Sequence, residues 1–344
     1  MRDFLTVVFC GAILAACGGA ETQTENEPAG TINVYSARHY DSDRLMYDKF
    51  EEQTGIRVRF REMSSNLLFE TMKSEGASSP ADIVIAADAG TLWKFQDAGL
   101  LRPVESDVLN AAIPEKFREP DGHWYGLAKR ARIIVYDPDR VSEEQVGEYG
   151  ALADEALKGE LCMRSSSNIY NLSLMSELVE RWGEDEAGEW AESVVSNFSR
   201  DPRGGDTTQV ESIAAGECSA ALINHYYWVR MATSRSEDRR AMADATALAF
   251  PETGDGTHVN ITGAGVAANA PNPDAALAFL EFLTSKDGQE LLVSETKEFP
   301  MVDGVKLPDG LEELPDFIES AVALTKLGEN QATAQTLYDR AGWN

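Results

Sequence analysis

From residue 31 onward, short apolar runs alternate with stretches in which apolar residues recur at helical spacing. The apolar runs predict strands at residues 31–35, 56–60, 83–86, 131–136, 161–163, 220–223 and 248–251. The amphipathic stretches predict helices at residues 41–54, 67–74, 90–98, 172–182, 209–215, 273–284 and 288–294, and again from residue 314 onward. Because strands and helices alternate, we predict an α/β fold that begins with a mostly parallel sheet.

The stretch at residues 41–54 shows how a helix is predicted from this pattern. Leu45, Met46 and Phe50 lie on one face at helical spacing, and Gly55 follows directly. Glycine tolerates the left-handed backbone that ends many helices, so Gly55 marks the end of this one. We expect the face that carries Leu45, Met46 and Phe50 to be buried.

The first residues have a different character. An apolar run from residue 4 to residue 16 ends in Leu14-Ala15-Ala16-Cys17. It is shorter than the ~20 residues that cross a bilayer, but it suits the core of a signal peptide. A branched apolar residue and two small ones before a cysteine are typical of bacterial lipoproteins. We therefore predict a signal peptide at residues 1–16, lipidation of Cys17 and a polar tether at residues 17–30.

This N-terminus predicts a periplasmic protein that is held at the membrane by its lipid. An ordinary signal peptide with a chance cysteine is the alternative. The charge balance also restricts the partners, since 58 Asp and Glu against 30 Lys and Arg give a formal net charge of −28. Nucleic-acid binding needs a basic surface, so we predict no nucleic-acid partner and no membrane contact besides the lipid.

Cysteine usage fits an oxidising compartment. Cys10 leaves with the predicted signal peptide and Cys17 takes the lipid, so Cys162 and Cys218 remain. Two thiols outside the cytoplasm form one disulfide if their α-carbons lie within about 7 Å of each other. The sequence leaves open whether they are bonded or are two separate buried thiols.

Tyrosines follow three of the predicted strands at the point where each strand ends. Tyr40 comes after the first strand, Tyr170 after the strand at 161–163, and Tyr226 and Tyr227 after the strand at 220–223. In open α/β sheets ligands bind at the carboxyl ends of strands. Each tyrosine taken alone is more simply explained as amphipathic packing with a hydrogen-bonded hydroxyl. Four of them at such positions predict a shared site.

A phenolate cluster suits a hard, highly charged ion. Softer metals prefer thiolate or imidazole, and Ca²⁺ and Mg²⁺ prefer carboxylate and carbonyl oxygens. A trivalent cation stabilises the phenolate form, and tyrosine is an iron ligand in some haem proteins, so Fe³⁺ is chemically suited to such a site. Four phenolates on Fe³⁺ leave a negative site, which a neighbouring cation would stabilise. The sequence offers four candidates for that cation: Lys129, Arg130, Arg132 and Arg203.

Several segments together resemble the ferric-ion-binding proteins of bacterial ABC importers, particularly the cyanobacterial type. These segments are YSARHYDSD, KSEGASSPADIVIAADAG, RARIIVYDPDRV, RSSSNIYNLSL and INHYYWVRM, in that order. The resemblance implies that Tyr40, Tyr170, Tyr226 and Tyr227 hold the metal, and some members add a histidine that corresponds to His39. His225 stands where the resemblance implies a small polar residue such as Thr.

The resemblance also implies a fold and a role. The fold is a two-lobed periplasmic-binding-protein fold with mixed sheets, in which crossover hinge strands join lobes that close on the metal. We assign residues 31–127 and 248–300 to the first lobe, and 128–247 and 301–344 to the second. The role is that of a monomeric binding protein, not an enzyme, which delivers Fe³⁺ to an ABC permease with its ATPase.

Two other functions stay open at this point. The first is capture of another small solute, such as an iron chelate or an anion. The second is an extracytoplasmic hydrolase that uses His39 or His225 with a serine from Ser165, Ser166 and Ser167.

Overall fold

A computed structural model of the chain describes residues 30–38, 40–251 and 256–344. The predicted signal peptide, Cys17 and His39 lie outside the described residues, as does the predicted tether apart from Gly30, which opens the first strand. No helix within the described ranges is long and apolar enough to cross a bilayer.

The described part of the chain contains nine strands in one hydrogen-bonded network. They are β1 (Gly30–Ser36), β2 (Ile56–Glu62), β3 (Ile83–Ala86), β4 (Leu101–Arg102), β5 (Tyr125–Tyr136), β6 (Ala220–Asn224), β7 (Ala247–Ala249), β8 (Val259–Ala267) and β9 (Phe299–Pro300). The order is β2-β1-β3-β8-β5-β6, with β4 on β8 and with β7 and β9 on β5.

The described helices surround this network and connect its strands. They are α1 (Asp41–Thr54), α2 (Ser65–Glu75), α3 (Ala89–Asp97), α4 (Asp107–Ala112), α5 (Glu143–Val146), α6 (Ile169–Trp182), α7 (Glu184–Ser196), α8 (Asp206–Ala214), α9 (His225–Ala232), α10 (Glu237–Asp244), α11 (Pro273–Leu283), α12 (Lys286–Ser294), α13 (Lys326–Glu329) and α14 (Gln331–Ala341).

The prediction of a mostly parallel sheet is wrong. Only β2, β1 and β3 run parallel to one another, whereas β8 pairs antiparallel with β3, β4 and β5. β8 was not predicted, because Gly263 and Gly265 interrupt its apolar pattern. These glycines let the strands approach closely, since a Cβ on Gly265 would lie 2.4 Å from the carbonyl oxygen of His123. The sheet is therefore mixed.

Helix α1 has the predicted bounds, and Gly55 ends it with a left-handed backbone at φ 70°. Its buried face differs from the prediction, because the Leu45 side chain is 59% exposed. Met46 and Phe50 are buried as expected, and Tyr47 takes the place predicted for Leu45. The face that packs inward is thus rotated by one to two positions along the helix.

Three other predicted elements are changed. The strand predicted at residues 161–163 is reduced to isolated bridges from Leu161 to Phe198 and Ala220. The residues after the strand at Ala220 begin helix α9. The tail is not helical from residue 314, and its helices begin only at Lys326.

Strand β5 passes from one lobe to the other, as the predicted fold class requires, and β8 and β7 pair with its two halves. The first half of β5, up to Ala131, pairs with β8, and its second half, from Arg132, pairs with β6 and β7. One hydrophobic core lies on β1, β3, β8 and α11, and two further clusters lie on the second half of β5 with β6 and on α6 and α7. Helix α13 packs against both α3 and α6. The lobe boundaries given above stay a prediction.

Candidate metal centre

Each of the four predicted tyrosines lies at the beginning of a helix. Tyr40 is the residue that precedes α1, and its extended backbone joins β1 to that helix. Tyr170 lies in the first turn of α6, where the side chain of Asn168 accepts its backbone N–H at 3.0 Å. Tyr226 and Tyr227 lie in the first turn of α9. Tyr40 therefore follows β1 and the tyrosine pair follows β6, whereas Tyr170 follows a segment that makes isolated bridges at Leu161.

The structure brings these phenols together. The Tyr226 hydroxyl donates to the Tyr170 hydroxyl at 3.2 Å. The rings of Tyr226 and Tyr227 are stacked, with centroids 4.4 Å apart. Neighbours on an extended chain would point to opposite faces, whereas the helical backbone of α9 keeps these two on one side. Tyr40 completes the group through its electrostatic interactions with Tyr170, Tyr226 and Tyr227.

Burial raises the pKa of three of these tyrosines, so their phenols lose a proton less readily than a free tyrosine does. Loss of solvent is the largest cause that raises the pKa of Tyr40, followed by the negative charge of Glu298. Burial and the neighbouring Tyr170 raise the pKa of Tyr226 and of Tyr227 in the same way. Without a cation in their midst, these tyrosines are protonated at neutral pH. A strong positive charge is needed to convert them to phenolates.

Four arginines lie over the faces of two of these rings. The Arg38 and Arg230 guanidinium carbons lie 5.2 and 5.9 Å from the Tyr40 ring centroid. Those of Arg130 and Arg164 lie 5.3 and 5.4 Å from the Tyr170 ring centroid. Positive charge at these distances stabilises a phenolate. The site therefore contains the compensating charge that a negative iron complex would need.

Of the four cations predicted from the sequence, only Arg130 faces a tyrosine ring. Lys129 binds Glu319 at 2.9 Å, Arg132 binds Asp206 at 2.8 Å, and Arg203 binds Glu217 at 3.1 Å. Arg38, Arg164 and Arg230 were not predicted from the sequence. A signal was present for the first two, since Arg38 stands two residues before Tyr40 and Arg164 opens the serine-rich segment that leads to Tyr170.

Buried carboxylates hold three of these four arginines in place, namely Arg38, Arg130 and Arg164. Glu298 lies 2.9 Å from Arg130 and 3.6 Å from Arg38, and Asp43 lies 2.8 Å from Arg38. Asp206 binds Arg164 at 2.7 Å. These pairs are largely buried, so they fix the orientation of each guanidinium more firmly than surface pairs would.

His225, which directly precedes Tyr226 and Tyr227, contacts backbone groups on both sides of its ring. The His225 Nδ1 accepts the backbone N–H of Ala131 at 3.1 Å, and Nε2 lies 3.1 Å from the carbonyl oxygen of Lys297, to which it donates. Burial lowers the pKa of His225 to about 3, so the ring is neutral. Because both nitrogens are bound to backbone groups, His225 has none left to activate a serine. Ser165 and Ser167 hydrogen-bond to each other at 2.9 Å.

Cys162 and Cys218 are joined in a disulfide whose α-carbons lie 5.7 Å apart. Both residues are fully buried. Cys162 precedes the segment that carries Tyr170, and Cys218 precedes β6, which leads to Tyr226. The disulfide therefore joins two of the three segments that carry the tyrosines, at positions that precede Tyr170 and Tyr226.

Glu119, Asp121 and His123 form a second group of side chains with metal-binding chemistry, and their ligand atoms lie within 4.8 Å of one another. Glu119 accepts the backbone N–H groups of Asp121 and His123 at 3.0 and 2.9 Å, and it lies 2.9 Å from the His123 Nδ1. These hydrogen bonds close a turn, which accounts for the grouping.

Two lobes joined by crossover strands, with convergent polar side chains at strand ends, define a solute-binding protein. Residues 78–317 match the family described as bacterial extracellular solute-binding protein, and the chain belongs to that family. The family resemblance predicted from the sequence is confirmed.

The chain is also similar to individual proteins whose names refer to iron. The chain is 40% identical to Iron uptake protein A1 of Synechocystis sp., over 98% of this chain and 95% of that protein. It is 29% identical to the Major ferric iron-binding protein of Neisseria meningitidis, over 96% and 97% of the two chains. Its fold is similar to that of the Trichodesmium protein IdiA (FutA) in complex with iron and citrate ligands, with a TM-score of 0.88, 42% identity and coverage of 92% and 100%. The predicted fold class is confirmed by this similarity.

Proposed function

We propose that this protein is an extracytoplasmic solute-binding protein that captures ferric iron through phenolate oxygens and delivers it to an ABC importer. Tyr40, Tyr170, Tyr226 and Tyr227 are the proposed ligands. The observation that carries the proposal is the cluster of these phenols under the guanidinium groups of Arg38, Arg130, Arg164 and Arg230. The names of the relatives agree with it, since they describe iron uptake and ferric iron binding.

Binding exchanges protons for a metal. The buried phenols are protonated in the metal-free protein, and Fe³⁺ displaces their protons as each oxygen becomes a ligand. Four phenolates around Fe³⁺ give a complex with one net negative charge. Arg130 and Arg164 stabilise that charge from the face of the Tyr170 ring, where each guanidinium is already held by a carboxylate.

Closure of the lobes and delivery complete the proposed role. Rotation at the crossover in β5 would move Tyr40 of the first lobe away from the other three tyrosines, which lie beyond the crossover, and the reverse rotation would close the site on the metal. His39 is a fifth candidate ligand. Cys17 would anchor the monomeric protein to the membrane, where a permease with its ATPase receives the iron.

An iron chelate is the second candidate ligand. It is favoured by the structure of the Trichodesmium relative, which contains citrate together with iron. In this alternative the protein would bind iron with the chelator still attached, and fewer phenolates would be needed.

The proposal is tested by replacing the tyrosine pair. Phenolate-to-Fe³⁺ charge transfer should colour the wild-type protein when ferric iron is added, and the Tyr226→Phe, Tyr227→Phe double variant should stay colourless. Tyr136→Phe is the matched control, because Tyr136 is a buried tyrosine on β5 outside the cluster. A wild-type protein that remains colourless and iron-free in the presence of ferric citrate would contradict the proposal.

A further inference from the structure

His225 is the first residue of α9 and directly precedes the tyrosine pair. Its side chain is completely buried. The imidazole ring stacks on Phe299, with centroids 4.3 Å apart, and meets the edge of the Tyr226 ring at 5.8 Å. The ring therefore lies between α9 and the short strand β9, next to a proposed ligand.

One ring nitrogen contacts the crossover strand. The His225 Nδ1 accepts the backbone N–H of Ala131 at 3.1 Å. Ala131 is the last residue of β5 that pairs with β8, and the next residue, Arg132, already pairs with β6. The hydrogen bond thus lies at the position where β5 passes from one lobe to the other.

The other nitrogen contacts a strained residue. The His225 Nε2 donates to the carbonyl of Lys297 at 3.1 Å. Among the described residues, Lys297 is the one non-glycine residue with a positive φ, at 60°. Such a backbone is unfavourable for lysine and persists only where the surroundings hold it. The His225 hydrogen bond is one such restraint, together with the Lys297 N–H that donates to Val293 at 3.0 Å.

The residue after Lys297 is Glu298, which binds both Arg130 and Arg38. Those two guanidinium groups lie over the rings of Tyr170 and Tyr40. A single imidazole therefore connects the helix that carries one tyrosine pair to the carboxylate that orients the arginines over the other two tyrosines.

We infer that His225 is a positioning residue, which fixes α9 relative to β5 and to the Glu298 carboxylate and thereby sets the geometry of the four phenols. This inference rests on the proposed function. A threonine, the residue type that the family resemblance implied at this position, offers one hydroxyl on a short side chain. It cannot reach both backbone groups, so the arrangement depends on a longer side chain that carries one donor and one acceptor.

Three variants test the inference by iron affinity and by the position of the charge-transfer band. His225→Phe keeps the ring stacked on Phe299 but removes both hydrogen bonds, and it should weaken iron binding by about 10- to 100-fold and shift the band. His225→Gln offers a donor and an acceptor and should restore most of both properties. His123→Phe, at the turn closed by Glu119, is the matched control and should change neither.

A His225→Phe protein with a lower melting temperature but unchanged affinity and band would overturn the inference, because the histidine would then act on stability alone. If His225→Phe does not fold, His225→Asn takes its place. Asparagine keeps a polar side chain but is too short to reach both the Ala131 N–H and the Lys297 carbonyl, so the band should shift in a folded protein. An unchanged band in this variant would also overturn the inference. A wild-type protein without iron binding would instead refute the proposed function itself.

Discussion

Arg164→Gln tests the electrostatic part of the proposed site with little damage to the fold. The Arg164 guanidinium carbon lies 5.4 Å from the centroid of the Tyr170 ring, and the group also interacts with Tyr227. After its removal Asp206 still binds Arg132 at 2.8 Å, so the buried carboxylate keeps a positive partner. Glutamine is polar but shorter, so it removes the charge together with the hydrogen bond that Arg164 donates to Asp206.

The expected magnitude follows from the geometry. The guanidinium carbon lies 5.4 Å from the ring centroid, so the phenolate charge lies about 5–8 Å away, and this interaction is worth about 2–3 kcal/mol at an effective dielectric constant of about 20. The Arg164 side chain is 15% exposed, so water screens part of this, and we expect a loss of about 1.5–3 kcal/mol. Iron affinity should therefore fall by about 10- to 150-fold.

The assay is competition for Fe³⁺ between the protein and citrate at fixed pH and ionic strength. Arg203→Gln is the matched control, because Arg203 is 60% exposed and pairs with Glu217 on the surface. Its substitution should change the affinity by less than about twofold. If folded Arg164→Gln binds iron as tightly as Arg203→Gln, the Arg164 charge does not stabilise the iron complex, which contradicts the prediction.

Two further predictions concern protons and the disulfide. Because the pKa values of Tyr40, Tyr226 and Tyr227 are raised, iron binding at pH 7 should release at least three protons. Affinity should then fall about tenfold per proton for each unit by which the pH is lowered. Proton release in weakly buffered solution measures this, and one proton or fewer per iron would contradict it. The double variant Cys162→Ser, Cys218→Ser opens a loop with a sequence separation of 56 and should lower the free energy of unfolding by about 4 kcal/mol. Urea unfolding measures that loss, and a value below about 1 kcal/mol would show that the loop is restrained by other contacts.

Elements with strong local signals were predictable from the sequence. The bounds of α1 follow from the residues themselves, because Gly55 is free to take the left-handed backbone that ends the helix. Helix α9 was missed because His225, Tyr226 and Tyr227 favour strands, and the helix forms through tertiary packing. Strand β8 was missed because its glycines are required by neighbouring strands that lie far away in sequence.

The residues of the candidate site also differ in how far they could be predicted from the sequence. The tyrosines were predictable because strand ends converge at one edge of a sheet, a property of the fold. The arginines were predictable only as nearby residues, because a sequence does not say where a guanidinium points. Glu298 has no local signal, since it meets Arg38 and Arg130 only after the chain has crossed between the lobes.

The central claim is that tyrosine phenolates of this chain hold ferric iron. The most direct measurement is the iron content of the purified protein together with its visible absorption spectrum, before and after chemical reduction. We predict one iron per chain and a phenolate charge-transfer band that disappears when Fe³⁺ is reduced. Bound iron without such a band, or a band that survives reduction, would contradict the claim.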